Sequence, residues 1–292
     1  MNVSAESIVE TLLLSGYQIE QWSLLGAGQN NIAILANDEW IFRYPLHRDA
    51  AKSMELEVAV LRAVHGRLPV STPNPEIFDE VSGLEWHVMA CPFIAGRVLD
   101  ADQISELGSS DLSRLGKDLG RFLTTLHSTP PSLFSSSNLR DKDGPQRWVR
   151  FTEDVRNFLK PRITSSDWNR SNRKLKESVE KISRFQYEPV LRHGDFGFGN
   201  FVFDDRSRLA GVIDFGSAGL GDPAVDVAAV IATNGPGDKM IDHVRSAYPL
   251  ADDLLHRARI YRDTFPLQHA LLGAKGDDEI AIKDGIDSYL NE

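Results

Sequence analysis

The residues best equipped for chemistry lie in one stretch, VLRHGDFGFGNFVFDDRSRLAGVIDFGSAGLGDP, residues 190–223. It holds His193-Gly194-Asp195, then Asn200 five positions after that aspartate, then Ile213-Asp214-Phe215-Gly216. Phosphoryl transfer needs a carboxylate to orient an acceptor hydroxyl and take its proton, and further oxygen donors for the magnesium ion that neutralises the phosphates. Asp195 suits the first task, and Asn200 with Asp214 the second. Either triplet alone is ordinary turn sequence. Their joint occurrence at this spacing, between short apolar runs at 190–191, 201–203 and 209–213 that read as strands, carries the reading. His193 is expected to brace the loop from a buried position by hydrogen bonding.

An Asn five residues after a catalytic-loop Asp, followed by Asp-Phe-Gly, is the order found in protein kinases. The H-G-D form, with Gly221-Asp222-Pro223 and Asp226 beyond it, resembles the aminoglycoside phosphotransferase superfamily. The run FRYPLHRDAAKSMELEVAVLRAVHGRLPVSTPNP is most similar to its 2''-phosphotransferase branch, and the likeness extends over about residues 20–290. The resemblance implies a magnesium-dependent kinase that moves the γ-phosphoryl group of ATP or GTP to a hydroxyl of a small molecule. It also implies a protein-kinase-like bilobal fold of the α+β class, with an N-lobe at 1–91, a hinge at 92–97 and a C-lobe at 98–292. Gly26 and Gly28 would let backbone N–H groups approach phosphates. Arg43 stands where protein kinases have lysine and would grip the α/β-phosphates, braced by Glu57. Lys52, the rival cation, reads as a solvated surface residue. In the hinge, Cys91 would limit the depth of the base pocket, Pro92 would offer a carbonyl, and Ile94 an N–H and a carbonyl. No Ala-Pro-Glu segment follows Asp214, which disfavours protein substrates.

For the acceptor, the resemblance implies a cationic amino sugar, the aminoglycoside class. Ser217 stands where the 2''-enzymes have an acidic residue, and Asp222, Asp238 and Asp242 are the carboxylates that could compensate. A kinase for a macrolide, an amino alcohol or a sugar stays open, as does a catalytically inactive nucleotide-binding module.

Composition sets the outer limits. The chain has 292 residues, 41% hydrophobic and 25% charged, with a formal charge of −10. That is ordinary globular material, and the negative balance argues against nucleic acid or anionic membrane as partners. Residues 1–92 carry −7, 93–184 carry +5 and 185–292 carry −8. Cys91 is the single cysteine, so no intramolecular disulfide and no cysteine-based zinc site can form, and a cytoplasmic location is expected. No signal peptide or membrane span is expected.

The elements that must position these residues follow from apolar spacing. Residues 19–45 read as two or three antiparallel strands with a turn at Asn37-Asp38-Glu39, and 50–66 as a helix with Met54, Val58, Leu61 and Val64 inward. An extended run at 87–97, after a turn at Ser82-Gly83, is expected to lead from sheet to helices. Leu112, Leu115, Leu119, Phe122, Leu123 and Leu126 mark a core helix that Pro130-Pro131 stop. The serine-rich stretch 132–138 reads as a loop, 147–160 and 171–184 as surface helices, and helices resume near Ala224.

Overall fold

The computed structural model describes residues 3–78, 81, 83–133, 141–232 and 236–291. Ser82 of the expected turn and residues 134–138 of the serine-rich loop lie outside them. The chain forms two compact units. One is built on Met1–Leu99 with Gly199–Ala218, the other on Asp100–Pro131, Leu139–Phe198 and Gly219–Glu292.

The first unit opens with α1 (Ala5–Leu14), whose N-terminus is closed by reciprocal hydrogen bonds between Ser4 and Ser7. Strands β1 (Trp22–Ala27), β2 (Asn31–Ala36) and β3 (Trp40–Pro45) lead into α2 (Arg48–Val64), and β4 (Glu76–Phe78) and β5 (Val88–Pro92) follow. They form one antiparallel sheet in the order β1-β2-β3-β5-β4. Asn37 and Asp38 take positive φ angles in the expected turn between β2 and β3, a conformation that short polar side chains tolerate. Because side chains alternate along a strand, the sheet has two distinct faces. Ile32, Ile34, Ala36, Phe42, Val88 and Ala90 pack with Ile8, Val9 and Leu12 of α1. Met89 points the other way and joins Met54 and Val58 of α2. Met54, Val58, Leu61 and Val64 are all buried, as their spacing predicts, and Lys52 is exposed.

The later elements are, in chain order, α3 (Ala101–Ser105), α4 (Ser109–His127), α5 (Pro145–Asp154), α6 (Ser165–Ile182), β6 (Val190–Arg192), β7 (Phe201–Phe203), β8 (Leu209–Val212), β9 (Gly219–Gly221), α7 (Ala224–Val230), α8 (Lys239–Val244), α9 (Ala251–Arg262), α10 (Phe265–Lys275) and α11 (Glu279–Asn291). The β7–β8 hairpin belongs to the first unit. Val212 N–H donates to the Ser71 carbonyl at 2.9 Å, and Arg97 and Phe203 exchange backbone bonds at 2.9 and 2.8 Å. The extended run expected to reach residue 97 ends as strand at Pro92. Gly96, at φ +145°, turns the chain against Phe203, where a Cβ would meet the Phe203 carbonyl oxygen at 2.5 Å.

In the second unit α4 buries Leu115, Leu119, Phe122, Leu123 and Leu126. Gly116 and Gly120 on the same helix allow α8 to come close, since a Cβ on Gly120 would lie 2.7 Å from the Val244 carbonyl oxygen. The two stretches read as surface helices each contribute a buried stripe. After α5 the helix widens over Val155–Leu159, and Val155 and Leu159 pack with Leu175 of α6, Leu267 and Ala270 of α10 and Tyr289 of α11. The pair β6–β9 is antiparallel, and β9, only Gly-Leu-Gly, carries no alternation that would announce a strand.

Candidate active site

Three of the residues singled out by sequence converge in the first unit. Arg43 Nη1 donates to Glu57 Oε1 at 2.6 Å, and the Glu57 side chain is only 2% exposed. Burial opposes the charge on Arg43, but Glu57 and then Asp214 outweigh it and hold the guanidinium above its ordinary range. Asp214 and Glu57 also meet around Gly216, where a Cβ would lie 3.2 Å from Asp214 Oδ1 and 3.6 Å from Glu57 Oε2. Asp214 follows β8 in the left-handed region, φ 59° and ψ 70°, and its Oδ1 accepts from Gly216 N–H at 3.3 Å. Asn200 precedes β7, and its carbonyl accepts from Ile213 N–H at 2.9 Å. The β7–β8 hairpin therefore carries both proposed metal donors at its open end.

Those donors are hard oxygens, a carboxylate and an amide, with no sulfur or imidazole. Among the described residues no group of three or more His, Cys, Asp or Glu side chains is arranged to hold a metal by itself. Magnesium bound to nucleotide habitually uses one or two protein oxygens and takes the rest from phosphate and water, so the pair fits that ion.

Gly26 sits at a register shift in β1, and Gly28 donates to the Asn31 carbonyl at 3.0 Å in the following turn. A Cβ at either would meet nothing within 4 Å, so no part of the chain itself requires a glycine there. Cys91 is buried opposite Ile41, and desolvation raises its thiol to about 11 despite the nearby Arg43. It is therefore an uncharged thiol at neutral pH. Phe93 N–H is engaged by the Glu39 carbonyl at 2.7 Å, whereas among the described residues the Ile94 N–H has no protein acceptor.

Asp195 belongs to the second unit and is exposed, on a loop held from beneath. Fully buried Asp226 accepts from His193 N–H at 2.9 Å, from Gly194 N–H at 2.7 Å and from His127 Nε2 at 3.1 Å. His127 Nδ1 contacts the Tyr248 hydroxyl at 2.7 Å. Burial opposes ionisation of Asp226, but His127, His193 and Arg192 hold its carboxyl below the ordinary range. His193, also fully buried, receives the Asp195 N–H on Nδ1 at 3.3 Å. Phe196 stacks on Phe122 of α4 with ring centroids 5.0 Å apart.

Of the four residues expected to face the acceptor, Ser217 is exposed, one turn after Asp214. The other three meet arginines of the same chain. Asp222 is fully buried, clasped by Arg257 at 2.9 and 3.0 Å and by the Tyr261 hydroxyl at 3.2 Å. Asp238 pairs with Arg259 and Arg262, and Asp242 with Arg245.

A family model described as the phosphotransferase enzyme family, APH, matches residues 21–261, most of the chain. The chain belongs to this family. Among curated relatives, the viomycin phosphotransferase of Streptomyces vinaceus is 32% identical over 146 residues, and that match spans 49% of each protein, about half of the relative's length. Among solved structures, the GDP and kanamycin complex of APH(2")-IIIa superposes with a TM-score of 0.83 at 22% identity, covering 97% of both chains. A macrolide 2'-phosphotransferase type I superposes at 0.72 with 18% identity, covering 98% of both. The kinase-like α+β fold is thereby established.

For this APH-family chain the sequence reading overlooked two supports. Asp143 is fully buried and accepts from both Nε and Nη2 of Arg192, the residue just before His193, and also from Arg147 at 2.7 Å. The second is His127, at the end of the α4 stripe, whose Nε2 lies 3.1 Å from the buried Asp226. Asp143 sits in a polar run with no local signal, whereas a histidine on the apolar stripe of α4 could have been flagged as needing a buried partner.

Proposed function

We propose that the chain is a magnesium-dependent small-molecule O-kinase whose acceptor is a cationic amino sugar of the aminoglycoside class. The observation that carries the reading is the convergence of Arg43, Glu57 and Asp214, which are far apart in sequence, in one unit. A half-buried arginine held charged by a buried glutamate and a nearby aspartate keeps a fixed positive charge with part of its guanidinium open to solvent, which suits it to a polyanion such as a nucleotide phosphate.

In this reading the acceptor hydroxyl donates a hydrogen bond to Asp195, its oxygen forms the new bond to the γ-phosphorus, and the bond from that phosphorus to the β-bridging oxygen breaks. The hydroxyl proton passes to the Asp195 carboxylate. Asp226 and His193 hold the loop so that Asp195 needs little reorganisation. Arg43, fixed by Glu57, receives the α/β-phosphates, and the Gly26–Gly28 turn and the main chain of Pro92 and Ile94 receive phosphate and base, with ATP and GTP both accepted. Asn200 and Asp214 would hold magnesium, which supplies neutralisation of the phosphate oxygens when bound.

A second reading, a macrolide, amino alcohol or neutral sugar as acceptor, is favoured by one specific observation. The carboxylates that could draw in a cation are engaged by arginines, and Ser217 is uncharged. A panel of aminoglycosides, macrolides, amino alcohols and sugars, incubated with ATP or GTP and magnesium and read by mass spectrometry for the gain of one phosphoryl group, separates the two. Aminoglycosides are expected to react. Turnover confined to neutral compounds would overturn the cationic acceptor, and nucleotide binding without turnover anywhere would overturn the kinase in favour of an inactive binding module.

A further inference from the structure

A cavity of about 430 Å³ lies in the first unit on the face of the sheet that meets α1. Its position follows from the strand registers. Phe42 pairs with Ala90, which also pairs with Glu76, while the neighbouring positions Arg43, Met89 and Cys91 point to the opposite face. The cavity thus lies on the opposite face of the sheet from the side chains of Arg43 and Cys91.

Its lining combines aromatic rings with carboxylates. Tyr17, Trp40, Phe42 and Phe78 supply the rings, and Glu39 and Glu76 the acids. Tyr17 is held edge-on to Phe42 and Phe78, with centroids 5.6 and 5.1 Å apart, so the ring array is fixed before any ligand enters. Asn37, which also borders the cavity, is committed elsewhere. Its amide accepts from the Glu20 and Gln21 N–H groups and donates to the Gln18 carbonyl, clamping the segment that forms the outer wall. Glu39 and Glu76 are exposed, and among the described residues neither pairs with a cation. The Tyr17 hydroxyl feels Glu76, which together with burial raises its pKa.

Aromatic faces present negative potential to a ligand, and carboxylates at the rim reinforce it, so the complementary guest is positive and weakly hydrated. The volume is within the range of small-molecule sites. We propose that this cavity is a second binding site, distinct from the nucleotide and acceptor sites, for a compact organic ammonium ion. Rings contact the alkyl groups around the nitrogen while Glu39 and Glu76 balance its charge. A hydrated metal ion would gain little from the rings, and an anion would be repelled.

Tetramethylammonium is the appropriate probe, because it has no hydroxyl and cannot serve as a phosphoryl acceptor. Its neutral counterpart of similar size is tert-butanol. Titration of the full chain, followed by ligand-observed NMR with saturating nucleotide present, should show saturable tetramethylammonium binding at least ~10-fold tighter than tert-butanol, the ratio expected when cation–π and charge contributions exceed burial alone. Glu76→Gln and Glu39→Gln, both at exposed positions, should each weaken that binding severalfold without altering nucleotide affinity. Equal affinity for the two probes would reduce the cavity to an apolar gap and overturn the proposal. So would absence of saturation, or binding unchanged in both variants.

Discussion

A carboxylate that takes up and releases a proton in each turnover gains from contact with water, and Asp195, proposed for that role, is exposed while the groups beneath its loop are buried. The division assigns different consequences to neighbouring aspartates. Asp195→Asn keeps the shape but removes the proton acceptor, so kcat should fall by ~10²–10⁴ with nucleotide affinity close to that of the parent, as steady-state kinetics and a nucleotide titration would show. Asp226→Asn should act mainly on the fold, costing about 3 kcal/mol in chemical denaturation because three inward donors lose a charged acceptor. The pH dependence has a definite sign. The Asp226 carboxyl lies below its ordinary 3.8 in the folded chain. The stability it contributes is therefore complete above that value and is lost as pH falls through the lower folded-state value. The gap between parent and Asp226→Asn, measured by denaturation, should be constant near neutrality and should narrow as pH falls below about 4. A gap independent of pH would show that the fold does not shift the Asp226 carboxyl, and a gap that widens as pH falls would show that the fold disfavours its ionisation.

At the scale of elements, the loop of Asp195 depends on how closely α4 and α8 approach. Phe122 of α4 carries Phe196, and the same helix meets α8 through Gly116 and Gly120. Replacing a helical glycine by alanine ordinarily gains up to ~1 kcal/mol from propensity. In Gly120→Ala that gain should be outweighed, since the new methyl group would meet the Val244 backbone oxygen at 2.7 Å, and overpacking of this kind costs about 1–3 kcal/mol. A lowered melting temperature, accompanied by reduced kcat with an unchanged KM for nucleotide, is the expected result. A rise in melting temperature would contradict the close approach of the two helices.

For the whole molecule the relevant quantity is charge. The formal −10 is unevenly spread along the chain, with −8 in the last 108 residues and +5 in residues 93–184. Exposed charges are screened beyond about 8 Å at physiological salt, so the summed field should assist encounter more than it strengthens the bound complex. For a polycationic acceptor, kcat/KM should fall as salt is raised while kcat changes little. If both parameters are insensitive to salt, the acidic surface serves solubility and the acceptor is drawn in by local contacts. No helix among the described residues is long and apolar enough to cross a membrane.

The residues proposed to carry the chemistry, the strand alternation at 31–45 and the helical stripes of α2 and α4 stand out in the sequence because each is a local pattern of residue type and spacing. The Asp195, Asn200 and Asp214 spacing identified the family for the same reason, as short loops between strands tolerate little variation in length. What tertiary structure decided was pairing. The Arg43–Glu57 pair was expected from the family resemblance, but that Arg43 also feels Asp214, that Asp143 holds Arg192, and that Asp226 holds the loop of Asp195 all join distant residues, and a buried charge is stable only where such a partner arrives. Asp222 follows the same rule, since only the fold brings Arg257 to it, and the fold also brings Arg259 to exposed Asp238, whereas Asp242 pairs with Arg245 three residues on, a spacing visible in the sequence. β9 and the widened turn after α5 were equally invisible, because a three-residue Gly-Leu-Gly strand and a single-turn change of helical pitch are imposed by the neighbours they pack against.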